Sequence, residues 1–504
     1  MTTIYMEITK SQLDFYIELY TALHRDVVSS ANYVFSVESR RDEKTFQSRI
    51  RAEGLSFLTK TLPRLGKSID KALASGGGLQ TTGFKLGRSS KLPVFFGRFL
   101  KLVFDSEGME RSDACPAVLR LLRQLCLFDY KLELPYEEAV VQNTISSFVV
   151  VNREVGFSAD SLDDTASIIG AAARSILRRV THDLDLVGIN PRHGPGVVST
   201  GQDPSEKPFF RRRLTKLEKK YPFIEYFHYS RSHTWDRIDQ LEALESVEYG
   251  QAKLVPVPKD SRGPRLISAE PIENQWIQQG QMSNLVRHLE TNEFTKGRIN
   301  FRDQTVNRDL ALQASSDGKL VTLDMKEASD RVSRDLVQYL FHEHLFEYLD
   351  ASRSPCTLLP DGTSETLNMF APMGSAICFP VEALVCWSLC VAVITCEHAV
   401  PFAKAARSVY VYGDDIIVPT EYHGRILEQL PKFGLLFNLD CCVANSFRES
   451  CGMDAFKGVP VTPTKVSCMW SHRPNANVLA SYVEYSNALF AGGYYRASEF
   501  IETA

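Results

Sequence analysis

The sequence predicts an α+β fold in which helices flank a small antiparallel sheet. Three observations predict it. Apolar residues recur at three- and four-residue spacing over Ser11 to Ala31 and over Asp160 to Val180, the pattern of amphipathic helices. Two β-branched runs, Val409 to Val411 and Ile416 to Val418, enclose Tyr412-Gly413-Asp414-Asp415 and read as the strands of a tight hairpin. A third run, Lys319 to Asp324, reads as a strand that ends in a carboxylate.

Composition bounds the rest. A chain of 504 residues, 44% hydrophobic and 23% charged, is long and apolar enough for several packed subdomains. A net charge of −4 excludes a polycation, so contact with nucleic acid must rest on local basic surfaces. The eleven cysteines include no Cys-x-x-Cys pair; Cys441 and Cys442 adjoin, and Cys386 and Cys390 share a helix face. Reduced thiols of a cytosolic protein are the expectation. Met1 to Glu7 lacks the basic and apolar regions of a secretory signal. Ala376 to Cys396 has the length of a membrane span, but it contains Pro380 and Glu382 and lacks Lys/Arg anchors at both ends. It is expected to be a core helix, with no membrane partner.

In chain order, residues 1 to 180 read as mostly helical. Ser75-Gly76-Gly77-Gly78 is expected to be a flexible connector; no Lys-Ser/Thr follows it, so it is not a phosphate loop. Asn190 to Gly196 reads as a loop. Lys207 to Lys220 carries Arg211, Arg212, Arg213, Lys216, Lys219 and Lys220 beside Phe209 and Phe210, and Tyr221, Phe223, Tyr226, Phe227 and Tyr229 follow. Cations beside aromatics grip phosphates and stack bases, which makes Arg211, Arg212 and Arg213 candidate RNA contacts. A solvated helix face over an aromatic core stripe gives the same pattern. Lys253 to Lys259 reads as a strand and Asp260 to Arg265 as a turn, clustering Lys259, Arg262 and Arg265. That cluster suits a triphosphate, or is simply a solvated turn. Ile272 to Leu289 reads as a helix.

Asp324 at its strand end is placed to face a crevice, or to cap a helix. Asp330 follows six residues on, and Asp335 to Leu349 resumes a helical pattern. Pro372-Met373-Gly374-Ser375 precedes the long apolar helix; Gly374 permits close backbone approach and Ser375 offers a hydroxyl, though Gly-Ser is also an ordinary helix start. In the hairpin, Gly413 supplies a positive φ and Pro419 ends the second strand. Asp414 and Asp415 repel unless one is protonated or a cation lies between them. Oxygen-only ligands favour magnesium or manganese, and Asp324 with the Asp414-Asp415 pair is the donor set a two-cation phosphoryl-transfer centre requires. A surface turn rich in aspartate is the alternative. Arg425 to Leu430 reads as a short helix, Phe447 to Gly452 and Lys457 to Pro463 as a turn-punctuated stretch, and Ser481 to Ala504 as one or two helices.

Taken in order, these residues resemble the replicase catalytic subunit, an RNA-dependent RNA polymerase, of the single-stranded RNA bacteriophages of the levivirus type. The resemblance runs from about Asn190 to Pro463. It is carried by Val257-Pro258-Lys259, Glu270-Pro271, Asp303-Gln304 with Asn307, and Asp317-Gly318 leading into Leu323-Asp324. Ala328-Ser329-Asp330, Gly374-Ser375, Tyr412 to Asp415, Phe447 to Gly452 and Gly458-Val459 complete it. It implies a right-hand polymerase fold of fingers, palm and thumb with an antiparallel palm sheet. Residues 1–180 would be the helical amino-terminal and fingers region, 181–318 fingers with the basic segment, 319–440 the palm, and 441–504 the palm end and a short thumb. It implies RNA copying with two magnesium ions, manganese being a substitute. By matching position, Asp324, Asp414 and Asp415 are the metal-binding catalytic aspartates and Asp330 selects the ribose 2′-hydroxyl. Lys259 and Arg265, with Arg262, meet the triphosphate, and Gly374 and Ser375 lie at the nucleotide. Implied partners are RNA template and product, nucleoside triphosphates, and the host translation elongation factors Tu and Ts with a ribosomal protein, in the bacterial cytoplasm.

The family usually reads Met-Gly-Asn where this chain has Met373-Gly374-Ser375. Its basic residues after the hairpin are missing around Asp440-Cys441-Cys442, so no general acid for pyrophosphate is assigned. Its thumb is longer than the residues after 463 supply. Narnavirus-like polymerases share the same core order. A reverse transcriptase shares the hairpin but usually places an aromatic soon after the first aspartate, where this chain has Met325-Lys326-Glu327-Ala328-Ser329-Asp330. A non-catalytic RNA-binding protein would need basic surface but no converging carboxylates.

Overall fold

Thr9 starts the first helix, Lys10–Ser30, with a capping box: its hydroxyl accepts from the Gln12 amide at 3.2 Å and the Gln12 side chain accepts from the Thr9 amide at 3.0 Å. This computed structural model describes residues 9–31, 36–227, 232, 239, 243–439, 442 and 445–504. Tyr229, Asp440, Cys441 and the Met1 to Glu7 stretch lie outside the described residues. The amino-terminal third is helical, with Val37–Glu53, Leu62–Ser75, Pro116–Leu127, Glu138–Glu154 and Asp164–Val180 following the first helix. Gly76 is the carboxy-terminal cap of Leu62–Ser75 rather than a free linker.

Among the described residues the strands form four small sheets. β1 (Arg212–Leu214) and β2 (Glu245–Val247) pair in parallel. β3 (Ala252–Asp260) and β4 (Gly263–Ala269) form an antiparallel hairpin, in a sheet of order β4-β3-β6-β7 with β6 (Cys356–Leu358) and β7 (Ser364–Thr366). β5 (Leu320–Asp324), β8 (Tyr410–Tyr412) and β9 (Asp415–Pro419) form an antiparallel sheet with β9 in the middle. β10 (Phe447–Ser450), β11 (Met453–Phe456) and β12 (Val459–Pro460) make an antiparallel meander.

Behind the β5-β9-β8 sheet runs the Cys378–Glu397 helix, packed on Asp164–Val180. Its apolar residues point in every direction, so it is stable only where protein surrounds it. Trp387, Leu389 and Val391 are fully buried, and the helix is the centre of the largest core. Among the described residues it is the one helix long and apolar enough to cross a membrane, yet 83% of that apolar window is buried in the fold. A core helix accounts for it, as the sequence suggests. The expected single helix Asp335 to Leu349 is two, Arg334–Leu340 and Glu343–Ala351. They part at Phe341 and His342, whose backbone is extended, and the His342 ring accepts from the His344 amide at 3.2 Å to start the second.

A second core joins the two ends of the chain. Residues between Phe15 and Leu132 pack with residues between Phe447 and Ala497, including the final helices Ala476–Ala491 and Tyr495–Thr503. Phe15 stacks on Trp470 with ring centroids 4.3 Å apart. Arg123 is buried between Asp70, at 2.7 Å, and Asp454, at 3.0 Å, so one guanidinium ties two helices to β11.

Candidate active site

The β8-β9 hairpin turns at Gly413, with φ +64°. A Cβ there would lie 1.9 Å from Cε2 of Phe379, on the first turn of the buried helix, so only glycine fits. Tyr412 fixes the other side of the turn. Its hydroxyl donates to the Phe301 carbonyl at 3.1 Å and its ring meets Phe379 edge-on at 5.4 Å. Gln304 donates to the Tyr412 hydroxyl at 3.2 Å and Asn307 to the Asp415 carbonyl at 3.2 Å, so Gln304 and Asn307 serve to hold this hairpin.

The sheet register brings the acidic residues together. Asp324, the last residue of β5, stands directly opposite Asp415, the first residue of β9. Asp414 is exposed at the turn beside them. Asn438 donates to Asp324 Oδ2 at 2.8 Å, and the Cys451 amide donates to Asp415 Oδ2 at 3.1 Å. Partial burial and then the neighbouring Asp414 push Asp415 up to about 6. Burial also raises Asp324, with Asp414 adding to the rise and Lys67 and Lys259 opposing it. Glu449, on β10, is a fourth acidic group here: burial, Asp454, Asp415 and Asp324 push it up to about 7. Carboxyls that raise one another through crowding gain most from a divalent cation, and an oxygen-only donor set suits magnesium or manganese. Among the described residues no three such side chains are already closed to metal-ligand geometry.

Asp330 lies on a short turn of helix, Ala328–Arg331, against the buried helix, and burial pushes it up to about 6. Ser329 donates to it at 3.2 Å. Glu382, wholly buried and influenced by Asp414 and Asp330, is raised well above the usual carboxylate range by desolvation. Gly374 is required by protein contact: a Cβ would lie 2.3 Å from the Ser268 carbonyl on β4. The Ser375 hydroxyl is buried and hydrogen-bonds to none of the described residues.

The β3-β4 hairpin carries the basic cluster. Lys259 and Arg265 are exposed and form no salt bridge among the described residues, and Asp414 is among the charges that influence Lys259. Arg262 is paired to Asp260 at 2.8 Å and lies over the Tyr130 ring at 5.5 Å. The hairpin tip is fastened to the amino-terminal helices. Ser261 donates to the Thr59 carbonyl at 2.6 Å, and the Tyr136 hydroxyl donates to the Asp260 carbonyl at 2.8 Å while accepting the Lys259 amide at 3.1 Å. The candidate RNA contacts Arg211, Arg212 and Arg213 are held elsewhere, by Glu206 at 2.9 Å, Glu273 at 3.3 Å and Glu218 at 2.7 Å. Phe210, Tyr221, Phe223 and Phe227 pack together around Trp276. The aromatic core stripe is present, and each of the three arginines beside it has a glutamate partner.

A family model described as RNA replicase, beta-chain, matches residues 219–474. The chain belongs to that family. The RNA-directed RNA polymerase beta chain of Enterobacteria phage fr is 36% identical to it over 208 residues, 41% of this chain and 36% of that one. The beta chain of Escherichia phage MS2 is 35% identical over 208 residues, again 41% and 36% of the two chains. The RNA-directed RNA polymerase subunit beta of Escherichia virus Qbeta is 35% identical over 212 residues, 42% of this chain and 34% of that one. The matches thus span little more than a third of these relatives' length. A solved structure titled "RdRp complex" aligns over 95% of this chain and 48% of its own, with a TM-score of 0.45 and 10% identity.

The replicase-family span contains Lys259, Asp324, Asp330, the hairpin and Glu449, and leaves Arg211 to Arg213 and the helical amino-terminal third outside it. Sequence reasoning missed Glu449, Asn438 and Lys67. Glu449 stands inside the Phe447 to Gly452 stretch, whose turn signals gave no hint that β10 runs beside β5. Lys67 comes from a helix more than 250 residues before Asp324, and no local pattern carries such a contact.

Proposed function

We propose that this chain is an RNA-dependent RNA polymerase that copies a single-stranded RNA phage genome by nucleotidyl transfer. The observation that carries the reading is the pairing of Asp324 with Asp415 across β5 and β9, with Asp414 at the adjoining turn. Family membership gives independent support. In this reading the β5-β9-β8 sheet is the palm of a right-hand fold, residues 181–318 belong to the fingers, and residues after 441 complete the palm and form a short thumb.

Asp324, Asp414 and Asp415 hold divalent cations, magnesium in the first instance. A cation held by these three carboxylates would supply Lewis-acid activation of a primer 3′-hydroxyl and charge neutralisation at the phosphates. The chain's own residues do the positioning. Asn438 holds one oxygen of Asp324, and the Cys451 amide holds one of Asp415, so neither carboxylate is free to turn away. Lys259 and Arg265, without carboxylate partners among the described residues, receive the triphosphate from the other side of the crevice, and Arg262 supports the hairpin through Asp260. Asp330 and the Ser375 hydroxyl offer polar contacts for the ribose, and the absence of an aromatic between Met325 and Asp330 favours a 2′-hydroxyl there. The elongation factors Tu and Ts and a ribosomal protein in the bacterial cytoplasm are partners of the same reading, tested by recovery from a bacterial lysate.

The test is incorporation of nucleotides by the purified chain on an RNA template. Ribonucleotides are expected to be joined in the presence of magnesium and not after chelation, with deoxyribonucleotides strongly disfavoured. Asp414→Asn is expected to lower incorporation by about 100-fold or more, the scale of losing a group that stabilises transition-state charge, while RNA binding survives. Preference for deoxyribonucleotides, or unchanged synthesis by the variant, contradicts the reading.

A further inference from the structure

The helical stretch from Phe57 to Ser75 carries a basic stripe of which the site described above uses only Lys67. Arg64, Lys67 and Lys71 follow one another at three- and four-residue spacing on the Leu62–Ser75 helix, and Lys60 stands four residues before Arg64 in the wider turn Phe57–Thr61. All four are exposed, while Leu62, Leu65, Ile69 and Leu73 bury the opposite face. The spacing places about one cation per turn, roughly every 5.4 Å along one side of the helix.

The stripe passes the carboxylate cluster at Lys67. Lys67 Nζ lies 5.5 Å from the centre of the Tyr130 ring, which Arg262 of the β3-β4 tip also faces at 5.5 Å. The same helix packs on β10, the strand that bears Glu449. Lys67 acts on both Asp324 and Glu449, holding them lower than burial alone would. Lys67 and Lys131 both act on Lys465, which adds a further cation on this side.

These cations differ from the arginines at 211–213 in one respect. Each of those arginines is neutralised by a glutamate, whereas Lys60, Arg64 and Lys67 form no salt bridge among the described residues. Exposed like charges at this spacing repel one another, and they are stabilised when a polyanion lies along them. A single triphosphate is too short to engage positions spread over three turns. A nucleic-acid backbone is not.

We infer that the Lys60-Arg64-Lys67-Lys71 face is a phosphate track for the RNA strand at the mouth of the crevice. The inference rests on the polymerase reading and names, within it, the amino-terminal surface that guides the strand. The stripe lies outside the span that matches the replicase family. The contact is sequence-independent, because it meets phosphates and not base edges.

The experiment is the salt dependence of binding of a fluorescent single-stranded RNA oligonucleotide to the full chain. Variants are the triple Lys60→Gln/Arg64→Gln/Lys67→Gln, the single Lys67→Gln, the charge-preserving Lys67→Arg, and Arg211→Gln as a control. Removing three phosphate contacts is expected to make the slope of log affinity against log salt shallower by about 2, with a loss on the order of 10- to 100-fold at 0.1 M salt. Lys67→Gln should take about a third of that effect, and Lys67→Arg and Arg211→Gln should bind as the wild type does. A triple variant with the wild-type slope overturns the inference. So does an unchanged slope with a raised KM for nucleoside triphosphate, which would make Lys67 a triphosphate contact instead. Failure of the parent reading is seen separately, as a wild-type chain that joins no ribonucleotides on a template.

Discussion

Glu270 follows β4 and is wholly buried, yet it takes no part in the carboxylate cluster. It accepts from Ser354 and is hydrogen-bonded to Gln278, and burial pushes it up to about 7 from 4.5 despite those bonds. Its folded pKa is raised, so the folded chain holds a proton that the unfolded chain releases above 4.5. Stability from this group is full below about pH 4.5 and declines as pH rises to about 7. Glu270→Gln is expected to remove that decline. The variant should match the wild type near pH 4 and exceed it at pH 8 by at most about 3 kcal/mol, read as a higher Tm. Asp324 and Asp415 were legible in the sequence because one ends and the other begins a β-branched run, and Asp414 because it fills the short turn before the second run. The pairing of the arginines at 211–213 was not legible in the same way. Composition shows charge, but only the fold shows that Glu206, Glu273 and Glu218 neutralise it.

Among elements, the strands and long helices followed from local pattern, and their partners did not. The β8-β9 turn was set by Gly413, and the Cys378–Glu397 helix by its unbroken apolar run, both visible in a short window. The fastening of the β3-β4 tip to Thr59, Tyr130 and Tyr136 spans more than a hundred residues and leaves no trace in spacing. Arg123 is the same kind of feature. It sits on the buried side of Pro116–Leu127 and meets Asp70 and Asp454 from two distant segments. Arg123→Met would leave both carboxylates buried without their cation, a change expected to cost about 3–5 kcal/mol. The expected result is a markedly lower urea midpoint at neutral pH. A midpoint equal to that of the wild type would show that the three groups do not depend on one another.

At the scale of the whole molecule, the chain closes on itself. Its first helix packs on its last, and residues from 15 to 132 share a core with residues from 447 to 497. The active-site hairpin belongs to the other large core, around the Cys378–Glu397 helix. β10 connects the two, because its residues contact both Leu62–Ser75 and β5. Loosening one end should therefore loosen the other. Phe15→Ala removes the stack on Trp470 and is expected to cost about 3–5 kcal/mol locally. Amide exchange over Ala476–Ala491 and Tyr495–Thr503 should accelerate, while that of the Cys378–Glu397 helix should change far less. Equal acceleration everywhere would mean that the two cores unfold as one.

The proposed activity depends most on Asp324, Asp414 and Asp415 together holding divalent cations. Manganese binding to the purified chain, followed by loss of the free-ion electron paramagnetic resonance signal, tests it without reference to activity. The wild-type chain should bind manganese, magnesium should displace it, and Asp324→Asn and Asp414→Asn should each weaken binding at least about tenfold. Manganese binding undiminished in both variants would contradict it.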